Sequence, residues 1–495
     1  MVLTILVALP LLTALIIALS PVKLTRMIAM LGSGLQLILS LVLLQNFLSE
    51  RNVGNNAPFL FESNASWFPA LHINFHLGVD GISVAMILLT AFVVFAGVLV
   101  SWKVEKMTKE FFLLLIILSA GAYGFFISLD LFLLFFFLEV AVIPKYLLIG
   151  IWGSGKKEYS ANKLALMLMG GSALVLVGIL GMYFSSGGSF DLVNLSTFHI
   201  PEYVQKIFFP FLFIGFGVFT AIFPFHTWVP DGHSSAPTAA SMFLAGISMK
   251  LGGYGCLRVA TYLMPEAAHY YSGYIVLLAA IAIIYGAFAT MMQTDLKYIN
   301  AYSSVSHCGF VLLGIGMMTK TAITGAVLQM VSHGLMTALF FAAIGMLYER
   351  THTRAVKDLG GLMKMMPFIS TVFFIAGLCS LGLPGFSGFV AEMTVFVGSW
   401  ERSGLFYHVA TILACMSIVV TAVYILRATG QSLMGPVKNE NFNGLSDAQW
   451  NEKLAAVVLI SGIVAIGVMP FWLNDLVSPG TEAIYNQLSR IALLK

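Results

Sequence analysis

The sequence predicts an all-α polytopic membrane protein with about fourteen transmembrane helices. Of its 495 residues, 59% are hydrophobic and only 9% are charged, and the mean hydropathy is +0.93. An average soluble domain has about 25% charged residues, so a soluble chain of this length could not cover its surface with so few charges. Apolar runs of about 20 residues, enough to cross a bilayer as a helix, recur along the whole chain.

These apolar runs define the predicted spans, numbered here in chain order. The first run has no positive region before it and no clear small-residue cleavage site after it, so we interpret it as a retained helix and not as a signal peptide. The predicted spans cover residues 2–19, 27–48, 79–101, 111–129, 131–151, 163–185, 207–229, 236–262, 271–292, 300–318, 322–347, 367–396, 406–430 and 454–474.

The loop charges predict how the chain is oriented. Of the 25 Lys and Arg residues, sixteen lie in loops that follow odd-numbered spans, seven lie on the opposite side, and Lys145 and Lys250 lie inside spans. By the positive-inside rule, this bias places both termini on the outer side. The net charge is only +3 and no basic cluster is present, which argues against nucleic acid as a partner.

Two spans contain helix breakers in their middle. Span 7 contains Pro224 and span 12 contains Pro384, and such breaks persist in membranes only where protein or water satisfies the freed backbone groups. The breaks are five spans apart, which predicts two inverted five-helix repeats, spans 4–8 and 9–13. Proline is also generally commoner in membrane helices, which is the alternative explanation. The predicted regions are residues 1–110 (spans 1–3), 111–262 (first repeat), 263–430 (second repeat) and 431–495 (span 14 and a tail).

Five ionisable residues are predicted deep inside spans, where charges are costly and occur mainly at functional sites. Glu139 lies roughly 14 Å into span 5 and Lys250 roughly 20 Å into span 8, by helical rise. His307 and His333 lie in spans 10 and 11, and Glu392 follows the break in span 12. A line of such groups, bridged by water, can relay protons. A single buried pair could be a static ion pair and a lone histidine a core residue, but five such residues favour the relay.

Other candidate sites are weak. The four cysteines lie in apolar runs and are interpreted as small buried side chains. Asp80 opens span 3 and is interpreted as a helix cap. His226 and His233 are seven residues apart, which is not convincing metal-ligand spacing. The sequence has no phosphate-binding loop, nucleophile elbow or iron–sulfur cysteine run, so we expect redox chemistry to reside in partner subunits.

Several phrases resemble the antiporter-like subunits of proton-pumping NADH:quinone oxidoreductase, respiratory complex I. FPFHTWVPDGHSSAPTAASMFLAGISMKLGGYG resembles helices 7 and 8 of that family, and QTDLKYINAYSSVSHCGF resembles helices 9 and 10. VSHGLMTALFFAAIGMLYERTHTRAVKDLGGL resembles helix 11 and its following loop, and LGLPGFSGFVAEM resembles helix 12. The phrase LYERTHTR and the chain length are typical of the M, or chain 4, branch. The resemblance runs through most of residues 80–430.

The resemblance implies a role for each buried residue. The family's proton-path glutamates of helices 5 and 12 fall on Glu139 and Glu392, its helix 8 lysine on Lys250, and its histidines of helices 10 and 11 on His307 and His333. It implies proton translocation without a cofactor or metal in this chain, with FMN, iron–sulfur clusters and quinone in partner subunits. The implied partners are other membrane subunits of complex I, including paralogous antiporter-like subunits, and the implied location is the lipid bilayer of the bacterial inner (plasma) membrane.

Two other functions remain open from the sequence. A multisubunit cation/proton antiporter shares this fold, although the phrases THTR and FPFHTW and the helix 12 glutamate argue against it. The second is a structural membrane-arm subunit with impaired pumping. In the family, helix 7 has a lysine before the proline, in a phrase such as F-A-V-K, and here Phe219 occupies that position.

Lys145 stands where the family usually has an apolar residue. It is six residues after Glu139, roughly 9 Å of rise and about 240° of turn, so the two would not face each other in a regular helix. Pro144 could bend the helix and change that geometry. We therefore expect one of two outcomes: Lys145 supplies the positive charge lost at Phe219, or it snorkels toward the inner surface.

Overall fold

The described part of the chain is almost entirely helical, as predicted. The structure is a computed structural model that describes residues 2–492; Met1 and residues 493–495, and with them the predicted placement of the chain ends, lie outside the described residues. Among the described residues, eleven helices are long and apolar enough to cross a membrane. In chain order the α-helices are α1 (Val2–Leu19), α2 (Val22–Asn52), α3 (Gly81–Val100), α4 (Thr108–Ile127), α5 (Leu131–Val140), α6 (Val142–Trp152), α7 (Lys157–Ser185), α8 (Leu192–Thr197), α9 (Glu202–Thr220), α10 (Trp228–Ser235), α11 (Thr238–Phe243), α12 (Met249–Gly255), α13 (Pro265–Met291), α14 (Leu296–Met317), α15 (Lys320–Thr351), α16 (Leu362–Met365), α17 (Pro367–Ser380), α18 (Ser387–Trp400), α19 (Leu405–Leu433), α20 (Trp450–Val468) and α21 (Phe471–Ala492).

The long helix α15 lies at the centre of the bundle. Its most apolar 18-residue window is entirely buried, and α3, α14, α17, α18 and α20 pack around it. Small residues allow helices to approach closely in membranes. At Gly334, for instance, an added methyl group would lie 2.8 Å from the carbonyl oxygen of Gly246, which precedes α12. The middle of α15 therefore lies directly against the segment that carries Lys250.

Span 5 forms two helices with a bend between them. Helix α5 ends at Val140, α6 begins at Val142, and Ala141 lies between them. The ring of Pro144 clashes with the carbonyl four residues earlier, which is that of Val140, so a regular helix cannot pass through this point. The bend changes the direction in which Lys145 projects.

The two predicted breaks in spans 7 and 12 are present. Residues 221–227 separate α9 from α10 and contain Pro224, and residues 381–386 separate α17 from α18 and contain Pro384. Span 8, predicted as one regular helix, is also irregular, because π-helical turns lie on either side of α12. Such turns are rare and occur frequently at functional sites.

Two elements of the structure were not predicted. Antiparallel strands β1 (Leu60–Phe68) and β2 (Ile73–Val79) form a short hairpin between α2 and α3. The last predicted span ends early, at Val468, because the residue before Pro470 is disfavoured in α conformation. The amphipathic helix α21 follows in place of the predicted tail and packs against α3, α13 and α15.

The bundle has two faces that differ in charge. The hairpin, α8 and α21 lie together at one end, where Gln487 Nε2 donates a hydrogen bond to Ser196 O. We call this end the hairpin face. The opposite end of the bundle contains residues 101–107, 153–156 and 350–366. We call this end the basic face, because most loop Lys and Arg residues lie there.

Candidate functional site, a line of buried charged residues

Four of the predicted residues form a contiguous line through the centre of the bundle. Lys250 Nζ on α12 lies 2.6 Å from His333 Nδ1 on α15. The rings of His333 and His307, the latter on α14, are 5.2 Å apart between centroids. His307 Nδ1 lies 3.4 Å from Glu392 Oε1 on α18. Each residue comes from a different helix, so the line crosses the bundle and does not follow one helix.

These four side chains are buried, and polar atoms on the same helices lack hydrogen-bond partners within the described part of the chain. None of them is more than 4% exposed. His333 Nε2, Gln329 Oε1 and both amide atoms of Asn300 are buried without a hydrogen-bond partner among the described residues. Buried polar groups are almost always paired with protein or ordered water, so these atoms are candidates for contact with water.

The π-helical turn before α12 positions Lys250. In that turn, Leu244–Ser248, the backbone leaves the regular α ladder, and the carbonyl oxygen of Ala245 accepts a hydrogen bond from Lys250 Nζ. The ammonium thus has a backbone acceptor on its own segment and an imidazole acceptor, His333, on α15. This arrangement holds the lysine at the end of the line.

The break between α17 and α18 positions Glu392. Gly382 in this break has φ 72°, and a methyl group there would lie 2.6 Å from Glu392 Oε2, so the chain passes directly over the carboxylate. Ser380, the last residue of α17, lies 3.2 Å from His307 Nε2 through its hydroxyl oxygen. The break and the end of α17 before it therefore contact both members of the His307–Glu392 pair.

Glu139, Lys145 and Phe219 form a second group. Lys145 is only 1% exposed, and its Nζ lies 5.8 Å from the centroid of the Phe219 ring. Glu139 is half-buried and is the carboxylate that attracts Lys145 electrostatically. The snorkelling interpretation of Lys145 is therefore wrong: the ammonium lies inside the protein, beside the position where the resembling family has its lysine.

Two further buried groups, which the sequence reasoning missed, lie between this line and the basic face. Lys297 was counted as a loop charge, but it is 4% exposed in the first turn of α14 and donates to Ala236 O at 2.6 Å. His233 was considered only as a metal ligand; it is fully buried, stacks on Phe341 and lies near enough to Lys250 and Lys297 to interact with both charges. Asp295, which caps α14, is the signal that could have placed Lys297 inside a helix.

A polar cleft of about 590 Å³ opens on the basic face beside these two groups. Asp231 on its wall pairs with Lys163, whose Nζ lies 2.7 Å from Asp231 Oδ2, and the hydroxyls of the wall residues Ser160 and Ser235 are 2.8 Å apart. Ser235 follows His233 by two residues in α10, so the floor of the cleft lies close to the buried histidine.

Metal binding finds no support in the part of the chain that the structure describes. Within residues 2–492, no three His, Cys, Asp or Glu side chains are grouped to hold a metal ion. Cys256, Cys308 and Cys379 are buried and free, as expected, whereas Cys415 is exposed on α19, so the expectation of burial was wrong there. An apolar run does not by itself distinguish a core position from a lipid-facing one.

The family of the chain is decided by comparison with known proteins. The family model described as "NADH:quinone oxidoreductase/Mrp antiporter, TM" matches residues 128–421, which contain the buried line and both broken spans. The chain belongs to this family.

Relatives within the family agree with the predicted branch. NADH-quinone oxidoreductase subunit M of Rickettsia bellii (strain RML369-C) is 36% identical over 90% of this chain and 89% of the relative. NAD(P)H-quinone oxidoreductase chain 4, chloroplastic, of Angiopteris evecta is 38% identical over 98% of this chain and 99% of the relative. The chain is thus similar to subunit M and chain 4 proteins, as the phrase LYERTHTR predicted.

Solved structures of the family share the fold over nearly the whole chain. A chain of respiratory complex I from Thermus thermophilus with bound NADH has a TM-score of 0.90 and 28% identity, and 99% of this chain and 100% of that chain are covered. A chain of the Mrp complex from Dietzia sp. DQ12-45-1b has a TM-score of 0.85 at 19% identity, with 99% and 98% covered, which shows a common fold.

Proposed function

We propose that this chain is a proton-translocating subunit in the membrane arm of an NADH:quinone oxidoreductase, driven by redox chemistry in other subunits. The observation that carries the proposal is the buried line Lys250–His333–His307–Glu392. Each of these side chains can gain and lose a proton, and each lies within direct or single-water reach of the next. The similarity to subunit M and chain 4 of quinone oxidoreductases supports the same function.

In the proposed mechanism, protons enter from the cleft on the basic face. His233 and Lys297 lie between that cleft and Lys250, which accepts the proton at Nζ. Lys250 then transfers it to His333, and it continues through His307 to Glu392. A proton that moves along the line carries one positive charge from residue to residue, so a side chain that can bind a proton always holds the charge and it never enters apolar surroundings alone.

Lys145 and Glu139 lie outside this line, and we propose a separate role for them. An ammonium buried beside Phe219 and attracted by Glu139 supplies the charge that the family's helix 7 lysine would supply. We propose that Lys145 replaces that lysine and modulates the proton affinity of Glu139 and of the relay. The alternative of a structural subunit with impaired pumping was based on the missing lysine at residue 219. If Lys145 replaces that lysine, this reason for the alternative no longer applies.

We further propose fourteen transmembrane segments arranged as two inverted repeats, residues 111–262 and 263–430. Isolated backbone bridges support this arrangement: Asp130, which caps α5, pairs with Asp191, and Asp295, which caps α14, pairs with Ala355. Each bridge joins the start of the second helix of a repeat to the stretch before its broken helix. The first bridge lies on the hairpin face and the second on the basic face, as inversion requires.

The decisive experiment measures pumping by the whole complex in sealed vesicles. Lys250→Met and Glu392→Gln should each lower coupled proton transport by at least roughly tenfold, a modest value for removing a proton-transfer group. Lys364→Met and Glu105→Gln, at exposed positions on the basic face, are the matched controls and should pump normally. A wild-type proton-to-electron ratio in both site variants would refute the relay.

A second experiment separates the two membrane enzymes that share this fold. A quinone oxidoreductase predicts that the chain co-purifies with partner subunits that carry FMN and iron–sulfur clusters and bind quinone, and with paralogous antiporter-like subunits. A cation/proton antiporter predicts co-purification without flavin. The 35–38% identity to quinone oxidoreductase subunits favours the first outcome.

A further inference from the structure

A buried ion pair lies between the buried line and the hairpin face. Arg258, in the π-helical turn after α12, pairs with Asp80, which precedes α3, and both side chains are 3% exposed. Asp80 also caps α3 as predicted, since Asp80 Oδ1 accepts a hydrogen bond from Ser83 N at 2.9 Å. The hydroxyls of Ser83 and Tyr254 are 2.9 Å apart. Arg258, counted from the sequence as a loop charge, is therefore part of a buried polar cluster.

This cluster lies between Lys250 and an open cleft. Lys250, Tyr254 and Arg258 follow one another at intervals of four residues, roughly one helical turn each, along the same segment. The guanidinium carbon of Arg258 lies 5.9 Å from the centroid of the Tyr254 ring. Beyond it, a cleft of about 660 Å³ opens on the hairpin face. Two residues of its wall, Phe59 and Tyr262, have ring centroids 5.4 and 5.7 Å from the same carbon.

Such a cluster would give protons a short path from Lys250 to the cleft on the hairpin face. Lys250 and Arg258 are eight residues apart, roughly 12 Å of helical rise. A proton that left Lys250 through the Tyr254 and Ser83 hydroxyls would reach the cleft without passing His333 or Glu392. That escape would uncouple transport from the rest of the line.

Arginine is the side chain that can prevent this escape. Its guanidinium keeps its proton in proteins, so it cannot pass one on, and its fixed positive charge repels protons as it does in other selective pores. Its pairing with Asp80 also occupies the carboxylate that would otherwise accept a proton. We propose that Arg258, held by Asp80, closes this branch and directs protons from Lys250 to His333; the proposal rests on the proton-translocating function proposed above.

The test is the passive proton conductance of the idle complex in sealed vesicles. Arg258→Gln removes the charge and keeps an amide that can bond to Asp80. Without NADH, an imposed pH gradient should collapse about tenfold faster than with the wild-type complex, which corresponds to about 1.4 kcal/mol in the barrier. Adding Lys250→Met should restore the wild-type rate, because the leak passes through Lys250. An unchanged rate in Arg258→Gln, or a faster rate that Lys250→Met does not reverse, would overturn the proposal.

A second pair of variants leaves the ion pair intact, because removing one partner of a buried ion pair is strongly destabilising. Tyr262→Glu places a negative charge on the cleft wall beside the guanidinium, and Tyr262→Gln places a neutral group of the same shape there. The glutamate should raise the proton conductance and the glutamine should not. Equal conductance in the two variants would contradict an electrostatic barrier.

Lys250→Met alone distinguishes this proposal from the proposed function. If Lys250→Met pumps like the wild type, the relay itself is wrong. If Lys250→Met loses pumping while Arg258→Gln vesicles hold the gradient, the relay stands and only the barrier is wrong.

Discussion

Lys145 is a buried cation whose role depends on a second residue, Phe219. An ammonium that is 1% exposed at membrane depth is costly unless it has a function or a counter-charge. Glu139 is the carboxylate that attracts this ammonium, and the Phe219 ring centroid lies 5.8 Å from Lys145 Nζ. The proposed replacement of the family's lysine by Lys145 therefore depends on both positions, residue 145 on α6 and residue 219 on α9.

The proposal that Lys145 compensates for Phe219 is directly testable. We expect Lys145→Met to lower NADH-driven proton pumping and quinone reduction by roughly tenfold, because Glu139 loses its cation. Phe219→Lys added to Lys145→Met should recover most of that activity, since it restores the family's arrangement. Lys364→Met, at an exposed position on the basic face and away from the cleft, is again the control. Full activity of Lys145→Met would show that this lysine does not compensate for Phe219.

For single residues, the position within an apolar run was enough to select the line of charged residues. It was not enough to select the other buried charged residues near that line. Lys250 and His333 could be predicted because each lies far from any polar segment, and Glu392 because it follows the break in span 12. Lys297 and Arg258 could not, since hydropathy assigns residues near the end of a span to the loop. Their burial results from other elements, α10 and α3, that fold over those ends.

The break between α17 and α18 is the element that places Glu392, and its close packing makes it sensitive. A methyl group added at Gly388 would lie 2.0 Å from the carbonyl oxygen of Cys379. We expect Gly388→Ala to cost about 1–3 kcal/mol, the usual range for overpacking, and to lower the Tm of the complex and its pumping together. Gly430→Ala on α19, where an added methyl group meets nothing within 4 Å, should change neither. Normal pumping by Gly388→Ala would mean that the break tolerates rearrangement.

The hairpin is held to the rest of the molecule by a titratable contact. His76 Nδ1 lies 2.6 Å from Asp191 Oδ2, and Nε2 lies 3.4 Å from Glu62 Oε2. The hydrogen bond with Asp191 raises the pKa of His76 above its usual 6.5. Because the folded pKa is raised, the contact stabilises the hairpin fully below about pH 6.5 and loses this effect as the pH rises through the raised value.

We therefore expect amide exchange in β2 to accelerate above that pH, after correction for the intrinsic exchange rate. His76→Gln should remove the pH dependence, because a glutamine does not titrate. Protection of β2 that stays constant from pH 6 to 9 in the wild type would rule out a role for the protonated imidazole.

Among the elements, proline predicted more than hydropathy did. Pro144, Pro224 and Pro384 each mark a place where the helix bends or stops, for the local reason that proline lacks an amide hydrogen. The hairpin was missed because its first strand, with the sequence LFESNASWF, is mostly exposed and half polar, which resembles a loop in a search for apolar runs. Its pairing with β2 is a contact that one strand alone does not reveal.

For the whole molecule, composition establishes the membrane class but not which helices touch. Hydropathy identifies segments that cross the bilayer; it does not show that α15 is central or that α12, α14 and α18 surround its histidine. The arrangement of the helices depends on the packing of small residues, such as Gly334 against the Gly246 carbonyl. In the sequence these residues look like any others in an apolar run. The line of charged residues is therefore a property of the assembled bundle.

Orientation is the whole-molecule property on which the direction of transport depends, and the loop charges predict it. The basic face should lie inside and the hairpin face outside. With Cys415 replaced by serine, Asn56→Cys on the hairpin face should react with a membrane-impermeant thiol reagent in intact cells. Lys156→Cys on the basic face should react only after permeabilisation, when both positions become accessible; both residues are exposed, so burial does not protect either one. Labelling in the opposite order, read from the peptides of this chain, would reverse the predicted topology, and protons would then enter the relay from the outside.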